Sequence, residues 1–371
     1  MRILYWVQRF WPHIGGVEVH ATRFLPEMRK RGFECAVLTS PGERDLPARD
    51  DFHGIPVHRL RFEEAMTHRD PAGIVRMRGE VTEVLRTFRP DLVHLHLTDA
   101  SVLFHLLTRA AHPCPMLLSL RVTLEGELNR TDSLLFKALS SADWITANSA
   151  AVLAGLHEQL PATASRSSVV LNALDPSPLA PTPLPFTRPV LLLLGRVVHE
   201  KGFDLALEAL PAILRRHPQT QLVVAGAGPA LPQLKAFTSK AGLEEHVRFL
   251  GWVAPERIPE LINTATLVLV PSRWREAFGL VARQAASQAR PVIAARVGGL
   301  PEVVAEGETG LLVPKEDPAA LAGAVLQLLS DPDRAIRLGE QGRWRARDRF
   351  SWEAHLDAFA SLYRRFGDGK G

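Results

Sequence analysis

The sequence predicts an α/β protein of two doubly wound parallel-sheet domains, and three observations predict it. Short runs rich in Val, Ile and Leu alternate with amphipathic helical patterns through both halves of the chain. Parallel sheets covered by helices need that arrangement. The length of 371 residues leaves room for two or three domains at about 100–200 residues each. A proline-rich stretch, DPSPLAPTPLPFTRP at residues 175–189, parts two halves of similar size and reads as a semi-rigid linker.

In the first half, strands are expected at 2–6, 35–39, 57–60, 92–95, 116–119, 144–147 and 168–171. Helical patterns at 17–31, 74–88, 100–111 and 133–141 lie between them. In the second half the strands fall at 190–194, 221–225, 247–250, 267–270, 292–294 and 311–313, with a helix after each.

Composition narrows the class. Apolar residues make up 46% and charged residues 23%, which excludes a mostly disordered chain. The longest apolar runs, such as 190–194, fall far short of the roughly 20 residues that span a bilayer. The N-terminus opens directly on Ile3-Leu4-Tyr5-Trp6-Val7, with no pattern of a secretory leader, so a cytoplasmic protein is expected. Cys35 and Cys114 are too few for a disulfide framework or a structural zinc site. The net charge of +4 is too small to argue for nucleic acid as a partner, though it permits weak adsorption at the anionic inner face of a membrane. Of the 44 cationic side chains, 37 are Arg, the residue suited to bidentate binding of phosphate and carboxylate.

Ligands of doubly wound sheets bind outside the carboxyl ends of the strands, where helix N-termini present free N–H groups. Residues just after strands are therefore the informative ones. After the first strand comes WPHIGGVE (residues 11–18), in which Gly15 and Gly16 let the backbone approach an anion. A tight turn without a ligand explains that segment equally well. After the first strand of the second half comes GRVVHEKG (195–202), where Arg196 and Lys201 could neutralise a diphosphate over one crevice. The plain alternative is a solvated helix start. The segment SRWREAFGL (272–280) places Glu276 at the lip of a helix whose Gly279 and Leu280 amides have no partner in the helix itself. A carboxylate there can accept hydrogen bonds from sugar hydroxyls while the amides hold phosphate oxygens; the plain alternative is a helix cap. GGLPE (298–302) and EGETGLLVP (306–314) read as structural turns, and Asp331-Pro332-Asp333 as a turn and N-cap and not a metal site.

The order and spacing of these segments resemble the retaining glycosyltransferases of family four, with the GT-B architecture. PDLVHLH (90–96), ADWITANS (142–149), LNALD (171–175) and FSW (350–352) add to the resemblance, which covers nearly the whole chain and is strongest from 190 to 350. It implies two Rossmann-like domains facing each other across a cleft. The acceptor-side domain would comprise residues 1–180, completed by a C-terminal helix at 352–371, and the donor domain residues 181–351. The implied reaction moves a hexose from a UDP- or GDP-sugar to a glycan, lipid-linked or small-molecule acceptor. It proceeds with retention and with neither cofactor nor metal.

By the same resemblance Arg196 and Lys201 contact the donor diphosphate and Glu276 holds the sugar hydroxyls. Phe278, Gly279 and Leu280 supply backbone donors, and Gly15 and Gly16 approach from the other domain. His94 and His96 share one side of a strand and are expected to contact the acceptor, since a zinc site would need further ligands. Two positions depart from the family pattern. Gln284 stands where a second Glu usually binds the ribose. Arg121 stands where a His usually follows the strand at 116–119, and a guanidinium cannot serve as a base. Arg121 is expected to steady an anionic acceptor or the departing phosphate, with a salt bridge to Glu125 or Glu127 as the structural alternative. The competing functions are a nucleotide-sugar epimerase of the same architecture and a non-catalytic partner subunit.

Overall fold

The computed structural model describes residues 1–367 apart from 14, 69, 97–99, 125, 127, 129 and 174–178. The chain divides into two compact units. One comprises Met1–Leu171 with Glu353–Gly371, the other Asn172–Trp352.

The first unit runs β1 (Arg2–Trp6), α1 (Gly16–Lys30), β2 (Glu34–Thr39), β3 (Arg49–Phe52), β4 (Ile55–Arg59), α2 (Phe62–Thr67), α3 (Pro71–Phe88), β5 (Leu92–His96), α4 (Ala100–Thr108), β6 (Met116–Leu120), α5 (Leu134–Ser141), β7 (Trp144–Ala147), α6 (Ala150–Gln159) and β8 (Ser167–Val169). Its sheet has the order β3-β4-β2-β1-β5-β6-β7-β8. Every pairing is parallel except β3 with β4. The central strands are apolar along their whole length because helices cover both faces, as in β1, where Ile3, Leu4, Tyr5 and Trp6 are fully buried.

Three expectations need correction here. The strand expected at 57–60 belongs to a β3–β4 hairpin turned by His53 (φ 53°) and Gly54 (φ 77°). Two left-handed residues make the tight turn whose twist matches that of the strands. The helix expected to 111 ends at Thr108 and tightens into a 3₁₀ turn over Arg109–Ala111. The last strand of this sheet ends at Val169, not 171.

The second unit runs β9 (Val190–Leu194), α7 (Phe203–Leu214), β10 (Gln221–Ala225), α8 (Leu231–Lys240), β11 (Val247–Gly251), α9 (Ile258–Asn263), β12 (Leu267–Val270), α10 (Leu280–Ser287), β13 (Val292–Ala295), α11 (Leu300–Val303), β14 (Gly310–Val313), α12 (Pro318–Leu329) and α13 (Pro332–Asp348). The final helix α14 (Trp352–Gly367) returns to the first unit. The second sheet is wholly parallel, in the order β11-β10-β9-β12-β13-β14. Leu207, Leu210 and Ile213 of α7 and Leu321, Val325 and Leu328 of α12 pack into one core over it. Each such side chain stabilises the fold by about 1.5–3 kcal/mol relative to exposure.

The described part of the proline-rich stretch is not a free spacer. The Arg290 guanidinium, 1% exposed, donates to the carbonyls of Thr182, Ile262 and Asn263, and Asn263 Nδ2 donates to Ala180 O. Residues 180–182 are thereby fastened to the second unit. Burial pulls the Arg290 pKa down to about 10.

Candidate functional site

Strand order decides where a ligand can sit in the second unit. Chain order reverses between β9 and its neighbour β12, and the carboxyl ends of the strands at such a reversal are where open α/β sheets bind ligands. The loops leaving these two strands carry Arg196 to Gly202 and Pro271 to Gly279.

Glycines let the loops meet backbone to backbone. Gly202 (φ 65°) starts α7, and a Cβ there would lie 2.1 Å from Pro271 O. A Cβ on Gly298 would lie 2.2 Å from Glu276 O, and the Gly299 amide donates to that same carbonyl at 2.7 Å. The Glu276 loop is thus held on two sides by backbone that no other residue could replace without displacement. GGLPE, read from the sequence as a plain turn, is the second of those sides.

Lys201 closes the 3₁₀ turn His199–Lys201, and its Nζ donates to Glu276 Oε1 at 2.5 Å. Ser272 Oγ donates to the same oxygen at 2.6 Å. The side chains of Lys201 and Glu276 keep 28% and 16% of their exposure, so both remain reachable from solvent. Arg196 is exposed on the loop after β9 and makes no ion pair among the described residues. Gly279 (φ 106°) caps α10 without a side-chain hydrogen bond, which leaves the first amides of that helix free to meet an anion. α1, α7 and α8 likewise have no side-chain cap, whereas α3, α5, α6, α12 and α13 are capped by Asp70, Ser133, Ser149, Asp317 and Asp331. The D-x-D at 331–333 is therefore a helix cap, Asp331 Oδ1 accepting from the Arg334 amide at 3.0 Å. Gln284 lies half-buried one turn into α10. The Phe278 ring turns inward, edge-on to Phe350 at 5.4 Å, so only its backbone can serve a ligand.

Ser272 was missed in the sequence, although a Ser right after the strand-end Pro271 was a signal. So were Gly226 and Gly228, after β10. Cβ atoms there would lie 1.8 Å from Gly195 O and 2.3 Å from Val197 O, so both glycines shape the loop that carries Arg196. The G-x-G spacing right after a strand was the signal.

In the first unit Gly15 caps α1 with extended backbone and Gly16 is its first residue. A Cβ on Gly15 would meet the Glu18 carboxylate at 2.2 Å, so that side chain folds back over the helix start.

The expectation that His94 and His96 contact an acceptor is overturned by burial: they are 0% and 2% exposed. They do share one side of β5, but α1 and α14 cover that side. His94 Nδ1 and Nε2 hydrogen-bond the Tyr363 and Ser119 hydroxyls at 2.6 and 2.7 Å, and the two imidazoles stack at 4.5 Å. Nearby, His355 Nδ1 donates to Leu171 O at 2.7 Å, so its Nε2 must accept from His20 Nε2, 2.8 Å away. Burial drives the pKa of His20, His94 and His96 well down, and the positive charge of Arg121 adds to it. His355 is held at about 3 by the same two causes. Arg121 itself is half-buried, with its Nε closed off from solvent and its pKa lowered by burial. Glu125 and Glu127, its alternative partners, lie outside the described residues. Among the described residues, no three His, Cys, Asp or Glu side chains group so as to hold a metal ion. Nor, among them, is any helix long and apolar enough to cross a membrane.

The family described as Glycosyltransferase Family 4 matches residues 14–178, and Glycosyl transferases group 1 matches residues 180–345. A glycogen synthase of Mycobacterium tuberculosis is 32% identical over 393 residues, covering 94% of this chain and 91% of its own. The chain belongs to the family-four, group 1 glycosyltransferases. A second relative of this glycosyltransferase is the GDP-mannose-dependent alpha-(1-6)-phosphatidylinositol monomannoside mannosyltransferase of Mycolicibacterium smegmatis. It is 38% identical over 181 residues, 47% of each chain, so the match spans about half of that relative. Among solved structures, Anabaena HepE in complex with UDP-glucose superposes with a TM-score of 0.80 over 98% of this chain and all of its own. At 22% identity that likeness speaks for the GT-B fold alone.

Proposed function

We propose that this glycosyltransferase moves a hexose from a UDP- or GDP-sugar to an acceptor hydroxyl with retention of configuration and without a metal. The observation that carries the reading is the Lys201–Glu276 contact at the point where the second sheet reverses its order. In the reaction the bond from the anomeric carbon to the diphosphate breaks, and negative charge grows on the leaving phosphate. Lys201, Arg196 and the free amides of α10 offset that charge, and they do so most strongly in the transition state. Glu276, released from Lys201, accepts hydrogen bonds from the sugar hydroxyls and fixes the anomeric carbon. The acceptor oxygen bonds the anomeric carbon on the face the phosphate leaves from, and the phosphate takes the acceptor's proton, so the configuration is kept. Gln284 binds the ribose through its amide.

A thermal-shift panel of nucleotide sugars tests the reading. A donor at 100 times its dissociation constant stabilises the fold by about 2.7 kcal/mol, and no response to any UDP- or GDP-sugar would sink it. The name of the Mycolicibacterium smegmatis relative favours GDP-mannose as the first donor to try, with UDP-glucose as the representative UDP-sugar. Transfer should also survive excess chelator after dialysis; loss that added Mg²⁺ or Mn²⁺ restores would refute the metal-free route.

Arg121 serves the acceptor as a fixed positive charge. Arg121→Ala is expected to lower transfer by roughly 10- to 100-fold, the worth of one charge-assisted contact, with donor affinity unchanged. Normal transfer by that variant would leave Arg121 with the structural role, a salt bridge to Glu125 or Glu127, that was its alternative.

A further inference from the structure

Lys201 and Glu276 belong to different loops, 75 residues apart, and something must hold those loops in register. One side chain joins the backbone contacts in doing so. Arg273, beside Ser272, forms a two-pronged ion pair with Asp204, Nη1 and Nη2 each donating to one carboxylate oxygen at 2.7 Å. Nη1 also donates to His199 O at 3.0 Å, and Nε lies 3.5 Å from Glu316. The backbone follows the same path, with the Arg273 and Trp274 amides both donating to Glu200 O. The Lys201 turn is thus gripped before the lysine, at His199 and Glu200, and after it, at Asp204 in the first turn of α7. The pair is largely shielded, at 15% and 31% side-chain exposure, so solvent screens it less than a surface salt bridge. Burial pushes the Asp204 carboxyl up, yet the Arg273 hydrogen bonds and charge more than cancel that and hold it below the usual carboxylate range.

We propose that Arg273 is a positioning residue, which through Asp204 and the His199 carbonyl holds Lys201 where it meets the donor diphosphate. The inference rests on the donor-site reading above. A planar, five-donor guanidinium grips a carboxylate and a carbonyl at once, whereas an ammonium replaces only part of that grip.

The test is calorimetric titration of the full chain with UDP and with GDP as probes, the binding stoichiometry counting folded molecules. Arg273→Ala is expected to weaken binding about tenfold and Arg273→Lys to recover part of the loss. Because Arg273 acts through Lys201, Arg273→Ala adds almost nothing in a Lys201→Ala background, a non-additivity that general destabilisation does not produce. Unchanged binding by Arg273→Ala, or an equal loss in both backgrounds, overturns the proposal while leaving the donor site standing. A wild-type chain that binds neither diphosphate removes the donor site and this inference together. Should Arg273→Ala not fold, Asp204→Asn keeps the shape, removes the charge and carries the same comparison.

Discussion

Replacing Lys201 by Ala weakens binding of the donor diphosphate by roughly 10- to 100-fold, the equivalent of about 1.5–3 kcal/mol for a hydrogen bond to a charged group. The expectation follows from position. Lys201 is partly exposed where the loops after β9 and β12 leave the sheet, and its partner is a carboxylate that the donor sugar would engage. The variant also leaves Glu276 with Ser272 Oγ but without its cation. Turnover should fall further than binding, since charge on the leaving phosphate grows in the transition state. Arg196→Ala is expected to act in the same direction. Calorimetry and initial rates on both variants check this, and undiminished affinity and turnover in both would remove the site assignment.

The second large effect is on stability against pH. His94, His96, His105 and His355 are buried and His20 is half-buried, and all have lowered pKa values, His105 at about 4 and His355 at about 3, with loss of solvation the main cause in each. An unfolded histidine takes a proton near pH 6.5, whereas these cannot while the fold holds, so below pH 6.5 the unfolded state binds more protons. Stability is therefore complete above pH 6.5 and is lost as pH falls toward the folded values. At pH 5.5 a histidine that stays neutral in the fold but protonates in the unfolded chain costs about 1.4 kcal/mol, as His105 and His355 do, and His20, His94 and His96 act in the same direction. The melting temperature should be level from pH 8 to 7 and fall steeply from 6.5 to 5. His105→Leu should make that fall shallower by one proton. A flat profile down to pH 5 would mean that these imidazoles are not held neutral.

How much of this could be read from the chain depends on distance along it. The apolar strands and the switch-point loops show in local pattern, and so do Arg196, Lys201, Glu276 and Gly279, each lying just past a strand or at a helix start. The β3–β4 hairpin was not legible, because its turn is His53-Gly54 and not the Asn-Gly or Asp-Gly pair that marks such turns. For His94 and His96 the shared face was legible but its cover was not. That cover includes Phe359 and Tyr363 of α14, more than 260 residues away, and no local pattern says which sheet face a distant helix will close. Arg273 and Asp204 were unreadable as a pair for a similar reason. A charge on a loop is usually solvated, and only the β9–β12 adjacency brings these two together.

The most direct measurement follows UDP-glucose and GDP-mannose by phosphorus and proton NMR with the enzyme and a panel of acceptors, in wild-type and Lys201→Ala chains. The account predicts that one of these donors yields free nucleoside diphosphate together with a glycoside of the donor's own anomeric configuration. It also predicts that Lys201→Ala suppresses both signals together. A product of inverted configuration, or equal release of diphosphate by the Lys201→Ala chain, would contradict it.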